Sequence, residues 1–77
     1  MDIFSEIKKM LVKKLSIDQE LVTSEAHLMD DLGAESLSLV ELAEKIGSRF
    51  DIDIQLDDIA DAETVGELVK FVESKIK

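Results

Sequence analysis

Seventy-seven residues, 45% apolar and 35% charged, predict one small folded domain over 1–77 carrying a net charge of −9. The absence of cysteine excludes disulfides, thiolate metal sites and a cysteine nucleophile, and the acidic balance argues against nucleic-acid binding. A chain this short buries only roughly 60–65% of its unfolded surface, which leaves little room for a deep catalytic cleft.

The first element is a helix from Ile3 to Leu15, with Ile3, Ile7, Met10, Leu11 and Leu15 on one face. Asp2 is placed to cap it, and Lys13 and Lys14 suit its negative end. Lys8, Lys9, Lys13 and Lys14 interrupt the apolar positions, so no signal-peptide core forms and no run reaches transmembrane length. A cytoplasmic protein without membrane insertion is expected.

Ser16 to Glu35 forms a long connection, with a helical turn near Asp18–Val22. Loops of this length are uncommon and often functional. Ile17, Leu21, Val22, Leu28 and Leu32 are spaced to dip back onto a core.

The second helix spans Ser36 to Phe50, with Leu39, Leu42, Ala43, Ile46 and Phe50 on its apolar face. Gly47 within it costs about 1 kcal/mol relative to alanine and predicts close helix packing. Asp51–Leu56 alternates like a strand but has no partner strand, so it reads as an extended connector burying Ile52 and Ile54. A short third helix is expected over Asp57–Ala60. The last helix spans Val65 to Ile76, with a Thr64/Glu67 capping box and a buried stripe of Val65, Leu68, Val69, Val72 and Ile76. With no proline and three glycines, the chain is expected to be all-α: a small four-helix bundle with a long ordered first loop.

Seven of the nine basic residues lie near the termini, and only Lys45 and Arg49 fall between Ser16 and Val69. The acidic middle repels anionic polymers and membranes and attracts basic protein surfaces; it serves solubility equally well.

Enzyme motifs fail on spacing. Ser36 lies outside any G-x-S-x-G elbow. His27 is the only histidine and reads as a solvated loop side chain, so a serine hydrolase ranks last. A calcium loop starting at Asp51 would need glycine at its sixth position and glutamate at its twelfth, where Leu56 and Ala62 stand. No metal site is expected. What remains is Ser36, at the start of an amphipathic helix after Asp31-Leu32-Gly33-Ala34-Glu35. A serine there is a favoured helix cap; it is also placed to hold an anionic group against free N–H groups and the helix dipole.

The stretch Asp31-Leu32-Gly33-Ala34-Glu35-Ser36-Leu37 resembles the phosphopantetheine attachment motif of acyl carrier proteins. The resemblance runs through Val40-Glu41-Leu42, Phe50, Ile54 and Thr64-Val65 into the last helix, and so covers nearly the whole chain. It implies that Ser36 carries covalent 4′-phosphopantetheine from coenzyme A, and that acyl groups ride on the arm as thioesters. It implies a non-catalytic, monomeric carrier served by a holo-acyl carrier protein synthase and by acyl-transferring and synthase enzymes with basic docking surfaces. Glu35, Leu37, Val40, Glu41 and Glu44 would form the docking face. An acyl chain would be sheltered by Leu28, Leu42, Ile46, Ile54, Ile59 and Val65, residues that ordinary core packing explains as well. Two departures stand out: Glu35 replaces the usual aspartate, and Ser38, Lys45, Gly47, Ser48 and Arg49 dilute a face that is strongly acidic in fatty-acid carriers. The resemblance implies fatty-acid or related specialised acyl synthesis, and these departures argue for a specialised pathway over a generic fatty-acid synthase. Polyketide or aminoacyl cargo, or an unmodified acidic protein-binding module, are the alternatives.

Overall fold

The computed structural model of the chain describes residues 2–76. Helix α1 spans Ile3–Leu15, α2 Ser36–Phe50, α3 Leu56–Asp61 and α4 Val65–Ile76, and a single 3-10 turn covers Gln19–Leu21. The architecture is the expected all-helical bundle. Helix α1 packs against both α2 and α4, α3 packs on α2, and the 3-10 turn lies against α1.

Periodicity explains the packing. Ile7 and Leu11 of α1, Leu39, Leu42, Ala43 and Ile46 of α2, and Val65, Leu68, Val69 and Val72 of α4 are buried in one core with Ile59 of α3. The long loop contributes Val22, Ala26, Leu28, Leu32 and Ala34 to the same core. Apolar burial of this kind is worth about 25 cal/mol per Å² and ties the loop to the core.

Helices α1 and α2 end alike, without glycine. Ser16 (φ 54°) and Asp51 (φ 55°) adopt the left-handed conformation. The N–H groups of Ser16 and Ile17 both reach the Val12 carbonyl, and those of Asp51 and Ile52 both reach that of Gly47. Each pair satisfies a terminal carbonyl and turns a half-buried isoleucine back onto the core.

Several sequence expectations are corrected. Helix α3 is longer by one residue at each end than Asp57–Ala60, because the Asp58 carboxylate accepts the Gln55 N–H (2.9 Å) and starts the helix at Leu56. Leu21 is 53% exposed; Val22 takes the inward position after the 3-10 turn. Ile76 is 43% exposed, since the buried stripe of α4 ends one turn earlier at Val72. Ile52 is only half-buried, while Ile54 is buried. Asp2 occupies the cap position of α1 but makes no side-chain cap to the backbone; its carboxylate accepts from the Ser5 hydroxyl at 2.8 Å. The Thr64 hydroxyl accepts the Glu67 N–H at 3.2 Å, yet Glu67 reaches back to the N–H of Glu63 rather than to that of Thr64. Gly47 is approached closely by the α2–α3 connector and not by a helix: a Cβ there would lie 2.9 Å from the Ile52 carbonyl oxygen.

Candidate functional site

The loop before α2 is built to present one residue. Leu28 donates to the Glu63 carbonyl (2.9 Å) and Val65 donates to the Ala26 carbonyl (3.0 Å), so the loop is tied to the start of α4. His27 and Thr64 form an antiparallel bridge at the same point. The Asp31 and Leu32 N–H groups then return to the His27 carbonyl, Gly33 to Met29 and Ala34 to Leu28. Leu32 and Ala34 are buried on either side of exposed Gly33, whose φ of +70° is the conformation glycine adopts without strain. The chain leaves this knot at Glu35 and enters α2.

His27 is more than a solvated side chain. Its Nδ1 accepts the N–H groups of Met29 (3.2 Å) and Asp30 (3.1 Å), and its own N–H donates to the Asp31 carboxylate (2.7 Å). In this geometry the Nδ1 atom serves the turn as a hydrogen-bond acceptor. The Asp30 carboxylate lies 3.9 Å from the same nitrogen.

Ser36 is exposed and is the first helical residue of α2. The cap position belongs to Glu35, whose side chain makes no capping hydrogen bond. The first N–H of the helix to reach a backbone carbonyl is that of Leu39, which donates to Glu35 (2.9 Å). The N–H groups of Ser36, Leu37 and Ser38 precede any intrahelical acceptor, and they carry the positive end of the dipole. A phosphate ester on the Ser36 oxygen would lie beside these donors, and nothing in the helix depends on that hydroxyl. The site's donor set fits an anionic group on Ser36.

The other expected site residues fall into three places. Glu35 and Leu37 flank Ser36, and Leu37 is 69% exposed, the most exposed large apolar side chain among the described residues. Val40 and Glu41 are half-buried and Glu44 is exposed. Glu41 is paired with Lys14 of α1. Leu28, Leu42, Ile46, Ile54, Ile59 and Val65 are all buried. Leu28 and Ile59 also line a small cavity of about 150 Å³ together with Met29, Leu39 and Ala62. Leu42, Ile46, Ile54 and Val65 do not border it. Leu39 was legible as a lining residue, since it lies one turn beyond Ser36 on the apolar stripe; Met29 and Ala62 carried no such signal.

Among the described residues no group of three or more histidine, cysteine, aspartate or glutamate side chains is arranged to hold a metal ion. No helix among the described residues is long and apolar enough to cross a membrane.

Comparison with known proteins addresses the same serine-bearing region. A family model described as "Phosphopantetheine attachment site" matches residues 5–72. The chain is 41% identical over 75 residues to a protein of Thermotoga maritima named "Acyl carrier protein", with 97% of this chain and 93% of that protein covered. A protein of the same name from Caulobacter vibrioides is 42% identical over 74 residues, covering 96% and 95%. One from Phenylobacterium zucineum is 39% identical over 75 residues, covering 97% and 95%.

Proposed function

From the premise that this chain belongs to the acyl carrier protein family, whose prosthetic group is covalent 4′-phosphopantetheine, we propose that Ser36 is the attachment point and that the cargo is an apolar acyl chain. The observation that carries the reading is the idle hydroxyl of Ser36: exposed, at the first position of α2, beside three N–H groups with no helical acceptor. A structural cap would have engaged that oxygen.

The Ser36 hydroxyl accepts the phosphopantetheine group of coenzyme A in a transfer catalysed by a holo-acyl carrier protein synthase: the serine O–P bond forms, the pyrophosphate bond of coenzyme A breaks, and adenosine 3′,5′-bisphosphate leaves. The arm, once bound, supplies a thiol on which acyl groups travel as thioesters. The chain's own residues hold, orient and advertise. The N-terminal N–H groups of α2 offset the phosphodiester charge. The knot around His27 and Gly33 fixes the direction in which Ser36 faces. Glu35, Leu37, Val40, Glu41 and Glu44 offer an apolar centre ringed by carboxylates to basic surfaces of acyl-transferring and synthase enzymes. Tethering raises the effective concentration of cargo at each docked enzyme. The protein is a non-catalytic, monomeric carrier working free in the cytoplasm.

The cavity bordered by Leu28, Met29, Leu39, Ile59 and Ala62 favours fatty-acid or related specialised acyl cargo, since its walls are mostly apolar. The deeper residues Leu42, Ile46, Ile54 and Val65 would line it only if it enlarged around a bound chain.

The deciding experiment is intact-mass measurement after incubation with coenzyme A and a broad-specificity phosphopantetheinyl transferase. One phosphopantetheine mass is expected on the native chain and none on Ser36→Ala. An equal gain on both, or a gain on neither, overturns the assignment.

A further inference from the structure

The charge of α2 reverses along its length. Glu35 at the cap and Glu41 lie in the half that follows Ser36, Glu44 and Lys45 stand side by side just past the midpoint, and Arg49 lies in the last turn. At 1.5 Å per residue, Lys45 and Arg49 lie about 14 to 20 Å along the axis from Ser36. Glu35, one residue before Ser36, is thus farther from both cations than the Debye length of about 8 Å at physiological salt, whereas Glu44 adjoins Lys45 and Glu41 lies about 6 Å from it along the axis.

The basic half is completed by α1. An open groove of about 630 Å³ runs between the helices, lined by Met10, Lys13, Lys14, Lys45, Ser48 and Arg49. Four of its six residues are cationic. Two of these are fixed as walls: Lys14 pairs with Glu41, and the Arg49 guanidinium pairs with Glu6 (Nη2 to Oε1, 3.0 Å; Nε to Oε1, 3.1 Å). Lys13 and Lys45 are exposed and have no ion-pair partner among the described residues. Met10, half-buried against the core, gives the groove an apolar floor, and Ser48 adds a hydroxyl.

We propose that this groove docks an acidic segment of a partner protein, so that enzymes served by this chain carry a basic patch facing the Ser36 end and an acidic patch facing the far end of α2. The identity of the partner as a carrier-dependent enzyme rests on the reading of Ser36 above; the groove and its preference for carboxylates do not. A discrete acidic segment fits because the molecule is only 29 × 25 × 18 Å and carries a net charge of −9. An extended uniform polyanion would also meet the acidic residues Glu44, Asp51 and Asp53, whereas a short carboxylate-bearing segment meets Lys13 and Lys45, the two groove cations unpaired among the described residues, flanked by Lys14 and Arg49, which Glu41 and Glu6 already engage. Opposed patches also set the orientation of docking, because a partner turned end for end places like charges together.

The test is a nuclear magnetic resonance titration of the ¹⁵N-labelled full chain with hexaglutamate peptide at low salt. Saturable shifts are expected at Met10, Lys13, Lys14, Lys45, Ser48 and Arg49. The double variant Lys13→Glu, Lys45→Glu should weaken binding by about tenfold or more. The matched charge change Lys70→Glu, Lys75→Glu on α4, outside the groove, should alter it by less than about twofold. Shifts spread evenly over all lysines, or equal weakening by both double variants, overturn the proposal. Tighter binding to phosphatidylserine vesicles than to hexaglutamate also overturns it and assigns the groove to a lipid surface. Circular dichroism of both variants guards against misfolding. The same titration on Ser36→Ala separates this result from the attachment reading, since groove binding is expected to be unchanged there.

Discussion

Lys14, in the last turn of α1, forms an ion pair with Glu41, in the second turn of α2. The pair is only partly shielded, with side-chain exposures of 23% and 42%, so it contributes at most about 1 kcal/mol to stability. Its larger effect is on the proposed docking face, where the lysine neutralises the Glu41 carboxylate. Lys14→Gln should therefore leave the melting temperature nearly unchanged and raise the on-rate for a holo-synthase about twofold at low salt. Glu41→Lys should lower it, by placing two ammonium groups together on that face. Stopped-flow association at two ionic strengths checks both, and the differences should shrink in high salt. Equal rates for all three proteins would remove Glu41 from the docking face.

Ser36→Ala separates capping from attachment. Loss of a serine cap costs about 1 kcal/mol, but the cap position here is Glu35 and the Ser36 hydroxyl holds no backbone donor. The substitution should change unfolding free energy by less than about 0.5 kcal/mol while abolishing the mass gain. Urea denaturation of the unmodified proteins measures the first quantity. A loss of 1 kcal/mol or more would mean that the hydroxyl caps α2 in solution.

The spans of α1, α2 and α4 were legible because each carries an apolar stripe at helical spacing, and such stripes are what the core consumes. The position of Ser36 followed from the same logic, since the stripe of α2 begins just beyond it. The extra residues of α3 were not legible, because its start depends on a carboxylate reaching back from Asp58 to Gln55. Nor was the role of His27, which exists only once the turn brings two N–H groups to one ring nitrogen. Ion pairs such as Glu6 with Arg49, 43 residues apart, are products of the fold and leave no local signal.

Gly47→Ala sets helix propensity against space. Alanine would gain about 1 kcal/mol in a helix interior. Its Cβ, however, would sit 2.9 Å from the Ile52 carbonyl oxygen and 3.3 Å from Ile54 Cγ2. That oxygen belongs to a turn fixed by the Ile52 N–H donating to the Gly47 carbonyl at 3.0 Å, so it is not free to retreat. Overpacking of this kind costs about 1–3 kcal/mol, and net destabilisation is expected in urea denaturation. A stabilised variant would show that the connector yields.

Asp2 gives the start of α1 a pH dependence. The Ser5 hydroxyl that donates to it is the largest influence and holds its carboxyl below the ordinary value of 3.8, against the opposing effect of desolvation. A carboxyl depressed in the folded state stabilises it above the unfolded value, and that contribution is lost as pH falls through the folded value. Asp2→Asn should therefore lower the melting temperature at pH 7, and the gap to the native chain should close in acid below 3.8. A gap independent of pH would show that the carboxylate's charge is not what acts.

His27→Ala removes the acceptor for two N–H groups in the turn that leads to Ser36. Both donors are on exposed residues and can bond water instead, so the stability loss should be about 1 kcal/mol. The turn itself should loosen, with faster amide exchange at Asp31, Leu32 and Gly33, whose N–H groups close it. Modification of Ser36 should slow, since a mobile turn presents the hydroxyl in more orientations. His27→Asn tests the geometry: the asparagine Oδ1 occupies the same bonded position as the histidine Nδ1 and accepts hydrogen bonds equally well. It should restore both amide protection and the modification rate, while His27→Ala restores neither. If the two variants behave alike, the ring nitrogen does not organise the turn, and the backbone ties to Glu63 and Ala26 suffice to hold it.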